Sequence, residues 1–99
     1  MRNQSIKIGI PELNEEQLIE IINDLDRTIR HYIFSKINLK FIEDINLNII
    51  LQKEEELALT INIELIFYYI KIPNADNILN DALKIGETAL RNKIKTYKK

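Results

Sequence analysis

The sequence predicts an α+β domain with the order β-α-β-β-α, a three-stranded and mainly antiparallel sheet with two amphipathic helices packed on one face. Three observations carry this reading. Apolar and polar residues alternate over residues 6–10, 44–52 and 57–69, the period of a strand. Over two longer stretches the apolar residues return every three or four positions, the period of a helix. No repeat, low-complexity tract or internal linker divides these segments, so residues 1–99 form a single domain.

The first strand rests on Ile6, Ile8 and Ile10 alternating with Lys7 and Gly9, and Pro11 stops it. The first helix begins at Leu13-Asn14-Glu15-Glu16-Gln17-Leu18. Asn14 can accept from the free N–H groups of the first turn, Gln17 can reach back to complete a capping box, and Leu13 and Leu18 suit a hydrophobic staple. Its apolar stripe is Leu18, Ile22, Leu25, Ile29, Tyr32 or Ile33, and Ile37, broadened by Ile19, Ile21 and Phe34. Glu15, Glu16 and Glu20 lie near the positive end of the helix dipole, and Arg27, Arg30, His31 and Lys36 near the negative end. Asp24 with Arg27, and Asp26 with Arg30, have the spacing of surface ion pairs.

From Asp44 the period becomes two. Ile45, Leu47, Ile49 and Leu51 face one way against Asp44, Asn46, Asn48 and Gln52. The charged segment Lys53 to Glu56 connects this strand to Leu57–Tyr69, making a long antiparallel hairpin. Up to Glu64 one face of that hairpin is polar. Ile66 and Tyr68 make its far end apolar on both faces, so something must cover that end. Ile72-Pro73-Asn74 then ends the strand, with Asn74 as the N-cap of a helix running to about Tyr97. The stripe of this second helix is Leu79, Leu83, Gly86, Leu90, Ile94 and Tyr97, and the small residues Ala82, Gly86 and Ala89 are expected to admit a neighbouring backbone. A right-handed crossover placing the first strand beside the third gives a ferredoxin-like unit without its last strand. The first strand is then an edge in need of a partner.

Composition excludes several kinds of chemistry. The chain has no cysteine, hence no thiolate nucleophile, disulfide or Cys-based metal site. Two glycines, Gly9 and Gly86, can build neither a P-loop nor a dinucleotide fingerprint. His31 is the single histidine, neither Ser5 nor Ser35 sits in a nucleophile elbow, and the carboxylates Glu43-Asp44, Glu54 to Glu56 and Asp24/Asp26 lack a metal-ligand pattern. The expectation is therefore no enzyme, no cofactor, no metal and no small-molecule substrate. The longest apolar run, Leu65 to Ile70, is far too short to cross a bilayer, and an early charge precludes a signal-peptide core, so no membrane and a cytoplasmic location are expected. Signals for RNA modules are also missing: there is no GXXG clamp, and the third strand lacks the aromatic-glycine pattern of an RRM.

Charge is unevenly spread. The net value is -1, but residues 84–99 carry six basic side chains and one acidic one. A helix C-terminus accounts for such cations through its dipole. A contact with RNA or the ribosome through Lys84, Arg91, Lys93, Lys95, Lys98 and Lys99 is the alternative.

The segment Ile8-Gly9-Ile10-Pro11-Glu12-Leu13-Asn14-Glu15-Glu16 resembles the N-terminal region of a family of small archaeal proteins known as a domain of unknown function. Ile10 and Asn14 stand where Leu and Ser are commoner there, keeping the apolar contact and the cap. The likeness continues more weakly through Tyr32-Ile33-Phe34 and Ile42-Glu43-Asp44-Ile45. It implies an archaeal cytoplasmic protein whose gene lies near translation and protein-folding genes, such as one for a prefoldin subunit, and it brings no catalytic residues. The expected function is a non-catalytic interaction or scaffold module, a homodimer or a small subunit of an archaeal assembly linked to translation or protein folding. Its protein interface is expected at Ile8, Ile66, Tyr68 and Ile70.

Overall fold

The computed structural model describes residues 2–8, 13–53, 57–68 and 72–97. Its elements are β1 (Arg2–Ile8), α1 (Glu15–Lys36), a 3-10 turn (Leu39–Phe41), β2 (Ile42–Lys53), β3 (Leu57–Phe67) and α2 (Ala75–Tyr97). The α+β class, the two helices and the antiparallel β2–β3 hairpin are as the sequence predicts. In the sheet the order is β1-β3-β2, with both pairings antiparallel. Ile10, Tyr69 and Ile70 lie outside the described residues.

Local chemistry explains most boundaries. At the start of α1 the Gln17 N–H donates to Asn14 Oδ1 (2.8 Å) and the Asn14 N–H donates to Gln17 Oε1 (2.9 Å), a complete capping box. The helix ends at Ile37, whose extended backbone still donates to the Ile33 carbonyl (2.9 Å). Asn38 then caps the 3-10 turn by accepting from the Lys40 N–H (3.1 Å). This turn is absent from the sequence reading. It feeds β2, which starts two residues before the expected Asp44, with a bulge between Ile42 and Asp44.

Two expectations are corrected. β1 starts at Arg2 because the exposed side of β3 offers backbone partners as far as Ile63, and pairing there requires no apolar alternation. Asn74 has a left-handed φ of 64° instead of the extended backbone usual for a capping residue. It forms a turn in which the Ala75 N–H donates to the Ile72 carbonyl (3.3 Å), while its own carbonyl accepts from Ile78 (3.0 Å).

Both helices lie on one side of the sheet, α1 over β2 and α2 over β1. Between them, Leu59, Ile61 and Ile63 of the central strand are fully buried with Ile21, Leu25, Ile29 and Ile33 of α1 and Leu90 of α2. Each such side chain contributes about 1.5–3 kcal/mol relative to leaving it exposed. The α1 stripe is rotated from its expected setting: Ile21 is buried, Ile22 half-buried and Ile19 53% exposed. In α2 the buried set Leu79, Ala82, Leu83, Gly86, Leu90 and Ile94 follows the predicted stripe.

Gly86 is the closest point of this packing. A Cβ there would lie 2.9 Å from Ile29 Cδ1 and 3.1 Å from Ile61 Cδ1, so two side chains, not a neighbouring backbone, occupy the space. Gly86→Ala should gain about 1 kcal/mol of helix propensity but lose about 1–3 kcal/mol to overpacking. We expect a net loss of stability in urea unfolding. Ile29→Val removes the clashing methyl group and alone costs about 1 kcal/mol. The double variant should be more stable than the sum of the two losses by at least about 0.5 kcal/mol, and strict additivity would show that the contact does not limit position 86.

Candidate functional site

The sequence places the candidate surface at the far end of the hairpin, and the structure leaves that end open. The Tyr68 N–H donates to the Phe41 carbonyl (3.2 Å), which ties the end of β3 to the 3-10 turn. Tyr68 is 54% exposed, Ile66 38% and Leu39, on the same turn, 60%. These are large apolar groups in water. Behind them Phe67, Ile72 and residues 74–77 line a hollow of about 370 Å³. Lys40 stands 5.1 Å from the centre of the Phe41 ring and adds a cation to the rim.

Ile8 does not join this surface. It pairs with Leu57 at the opposite end of β3, nine residues and about 30 Å from Ile66. The first-strand edge at Ile8 and the hairpin end, both expected to contribute to the interface, thus lie at opposite ends of β3. Ile70 lies outside the described residues.

The basic residues of α2 divide by environment. Lys84 and Lys95 are exposed, Arg91 bonds Glu87 Oε1 one turn earlier (3.0 Å), and Lys98 and Lys99 lie outside the described residues. Lys93 turns toward α1, where its ammonium meets Glu20 Oε1 (2.8 Å) and Asp24 Oδ2 (2.9 Å). Asp24 also stands 3.8 Å from Arg27. The hydrogen bond from Lys93 is the main reason that the Glu20 carboxyl is held below its ordinary value of 4.5, and Glu20, then Asp24, push Lys93 upward. Beside them the Tyr97 hydroxyl is enclosed without a well-formed hydrogen bond; burial first, and then the Glu20 carboxylate, raise its pKa. A second link between the helices runs from the Tyr32 hydroxyl to Asp81 (3.4 Å). Burial and then Asp81 raise the Tyr32 pKa.

His31 is exposed on α1. Among the described residues no three His, Asp or Glu side chains stand close enough to hold a metal ion. No described helix is long and apolar enough to cross a membrane. Another groove, of about 560 Å³, spans the paired strands β2 and β3 and is lined by Arg30, residues 45–48 and residues 62–64.

Residues 10–92 match the family described as "Protein of unknown function (DUF3194)". The chain belongs to the DUF3194 family. An uncharacterised protein of Thermococcus kodakarensis is 25% identical over 91 residues, spanning 91% of this chain and 83% of that protein. A crystal structure from Thermococcus onnurineus NA1 superposes with a TM-score of 0.79 at 29% identity, covering 97% of this chain and 93% of the other. The solution structure of a hypothetical protein from Methanothermobacter thermautotrophicus gives 0.74 at 23% identity, covering 93% and 100%, and shows a shared fold. The resemblance read from Ile8 to Glu16 thus points to a domain of unknown function with archaeal relatives. The DUF3194 match also spans the hairpin and most of α2, so the hairpin end falls within it, whereas Lys93 lies one residue beyond its end.

The ion cluster has a definite pH signature. Because the Glu20 carboxyl is depressed in the folded chain, its contribution is present above its ordinary value of 4.5 and is lost as pH falls through the depressed value. Lys93 is raised, so its contribution is complete below the usual lysine range and survives mildly alkaline pH. Between about pH 5 and pH 3 the wild-type urea midpoint should fall more steeply than that of Lys93→Met. Parallel slopes would remove the cluster as the source of acid sensitivity.

Proposed function

We propose that this DUF3194 protein is a non-catalytic interaction module of the cytoplasm, working as a homodimer or as a small subunit of an archaeal assembly linked to translation or protein folding. The observation that carries the reading is the exposure of Leu39, Ile66 and Tyr68 at one end of the hairpin. Apolar side chains left in water at the hairpin end with an adjacent hollow suit a protein partner, and tyrosine is favoured at such contacts because it buries a rigid ring and keeps a polar tip. The absence of catalytic signals in the sequence agrees with a binding role. The link to translation and folding rests on the family resemblance of the first-helix segment.

Binding of RNA through α2 has less support. Of the cations assigned to it, Lys93 is held by two carboxylates and Arg91 by one, which leaves Lys84 and Lys95 as the described, outward-facing charges. Electrostatic attraction to phosphates grows with the number of cations that can reach them. Two make a weak footprint.

The test is purification of tagged protein from its native cells, with and without RNase, in wild-type, Ile66→Asp and Tyr68→Asp forms. Each substitution should lower affinity for the recovered protein partner at least about tenfold, while the thermal midpoint stays near that of the wild type because both side chains are exposed. A partner retained by both variants would exclude the hairpin end. Partners that disappear with RNase would favour the basic face of α2 instead.

A further inference from the structure

We propose that the outer edge of β2 pairs, antiparallel, with the same edge of a second copy of this chain, with the two-fold axis at Asn48. The edge is twelve residues long, from Ile42 to Lys53, and β3 occupies only its other side. Strand edges left to solvent are normally blunted by proline, by inward charges or by a bulge in the middle. β2 contains no proline, and its bulge sits at one end, between Ile42 and Asp44. On its helix-facing side Ile45, Leu47, Ile49 and Leu51 are all half-buried, whereas Leu59, Ile61 and Ile63 of the central strand are fully buried.

What identifies the occupant is self-complementarity. Antiparallel pairing about Asn48 sets Ile45 opposite Leu51 of the copy and Leu47 opposite Ile49, so each half-buried residue meets an apolar one on the same face. At the ends of the ladder the register sets Glu43 opposite Lys53, twice by symmetry. A shift of two residues one way puts Glu43 opposite Leu51; a shift the other way puts Lys53 opposite Ile45. Of these three registers the Asn48 centre is the one that sets Glu43 opposite Lys53. Above the edge α1 contributes Arg30, bonded to Asp26 (2.7 Å), so this flank brings no net charge against its copy. The polar face follows the same register, Asn46 opposite Ile50 and Asp44 opposite Gln52, and two three-stranded sheets become one of six strands.

This surface is separate from the hairpin end, so the two readings fail independently. The chain has no native cysteine, which makes cross-linking a direct probe. Asn48 is exposed, and a cysteine there would meet its own copy across the axis at the Cα spacing that a disulfide accepts, about 4.4–6.8 Å. Under mild oxidation Asn48→Cys should give a covalent dimer. Asn46→Cys and Ile50→Cys, each alone, should stay single because their copies would lie about 13 Å apart, yet an equal mixture of the two should cross-link. Glu43→Lys and Lys53→Glu should each weaken the dimer about tenfold in sedimentation equilibrium, and the charge-swapped double variant should recover it. Tyr68→Asp should leave all of these results unchanged. A single-chain mass at about 100 µM, or Asn46→Cys linking as well as Asn48→Cys, would overturn the proposal.

Discussion

The packing turns on the missing side chain at Gly86. α2 comes near enough to α1 and the central strand for the terminal methyl groups of Ile29 and Ile61 to take the space a Cβ would fill, at 2.9 and 3.1 Å. A residue in the middle of a helix normally favours alanine over glycine by about 1 kcal/mol. Here the penalty is offset by bringing three elements together at one point, with Ile29 and Ile61 fully buried on either side. α1 lies over β2 and α2 over β1 on either side of that point.

Two helices meeting over the middle strand bury it thoroughly and its neighbours less so. Leu59, Ile61 and Ile63 are at 0% exposure while the inward residues of β2 remain half-buried. The far side of the hairpin lies beyond the helical layer and is polar along most of its length, where the Asn46 amide donates to Glu64 across the strands (3.0 Å). Polarity gives way to Ile66 and Tyr68 just where the chain leaves the sheet. Apart from Ile19 on α1, the exposed large apolar side chains of the described residues lie at the end of the hairpin and on the edge strand β2. A fold with one covered face has few other sites for recognition by packing.

How much of this was legible depends on the range of each interaction. The capping box of Asn14 and Gln17, the period-two alternation of β2 and the α2 stripe from Leu79 to Ile94 arise within a few residues, and the sequence displays them directly. The phase of the α1 stripe is different, because whether Ile21 or Ile22 is buried depends on contacts with both the sheet and α2. Asn74 is a turn residue instead of an extended cap because asparagine tolerates a left-handed backbone as well as it caps a helix. Ile8 and Ile66 were both assigned to the interface, and their places at opposite ends of β3 follow from the antiparallel register. The hairpin end itself was visible in advance, since Ile66 and Tyr68 break a polar alternation that holds up to Glu64.

The bond between Lys93 and Glu20 spans 73 positions, and no local pattern announces it. Both residues had been read by their places along their own helices, Glu20 near the positive end of α1 and Lys93 near the negative end of α2. Each suits its helix dipole. The structure gives them a further use, for the ammonium lies between Glu20 and Asp24 and sits 5.7 Å from the centre of the Tyr97 ring. Part of the positive charge concentrated after residue 84 is therefore spent inside the molecule, holding the end of α2 against the start of α1. Counting cations along a chain measures what is available to a phosphate backbone only after such internal partners are subtracted. For this chain the subtraction removes Lys93, in the middle of the basic segment, from the charge available to such a backbone.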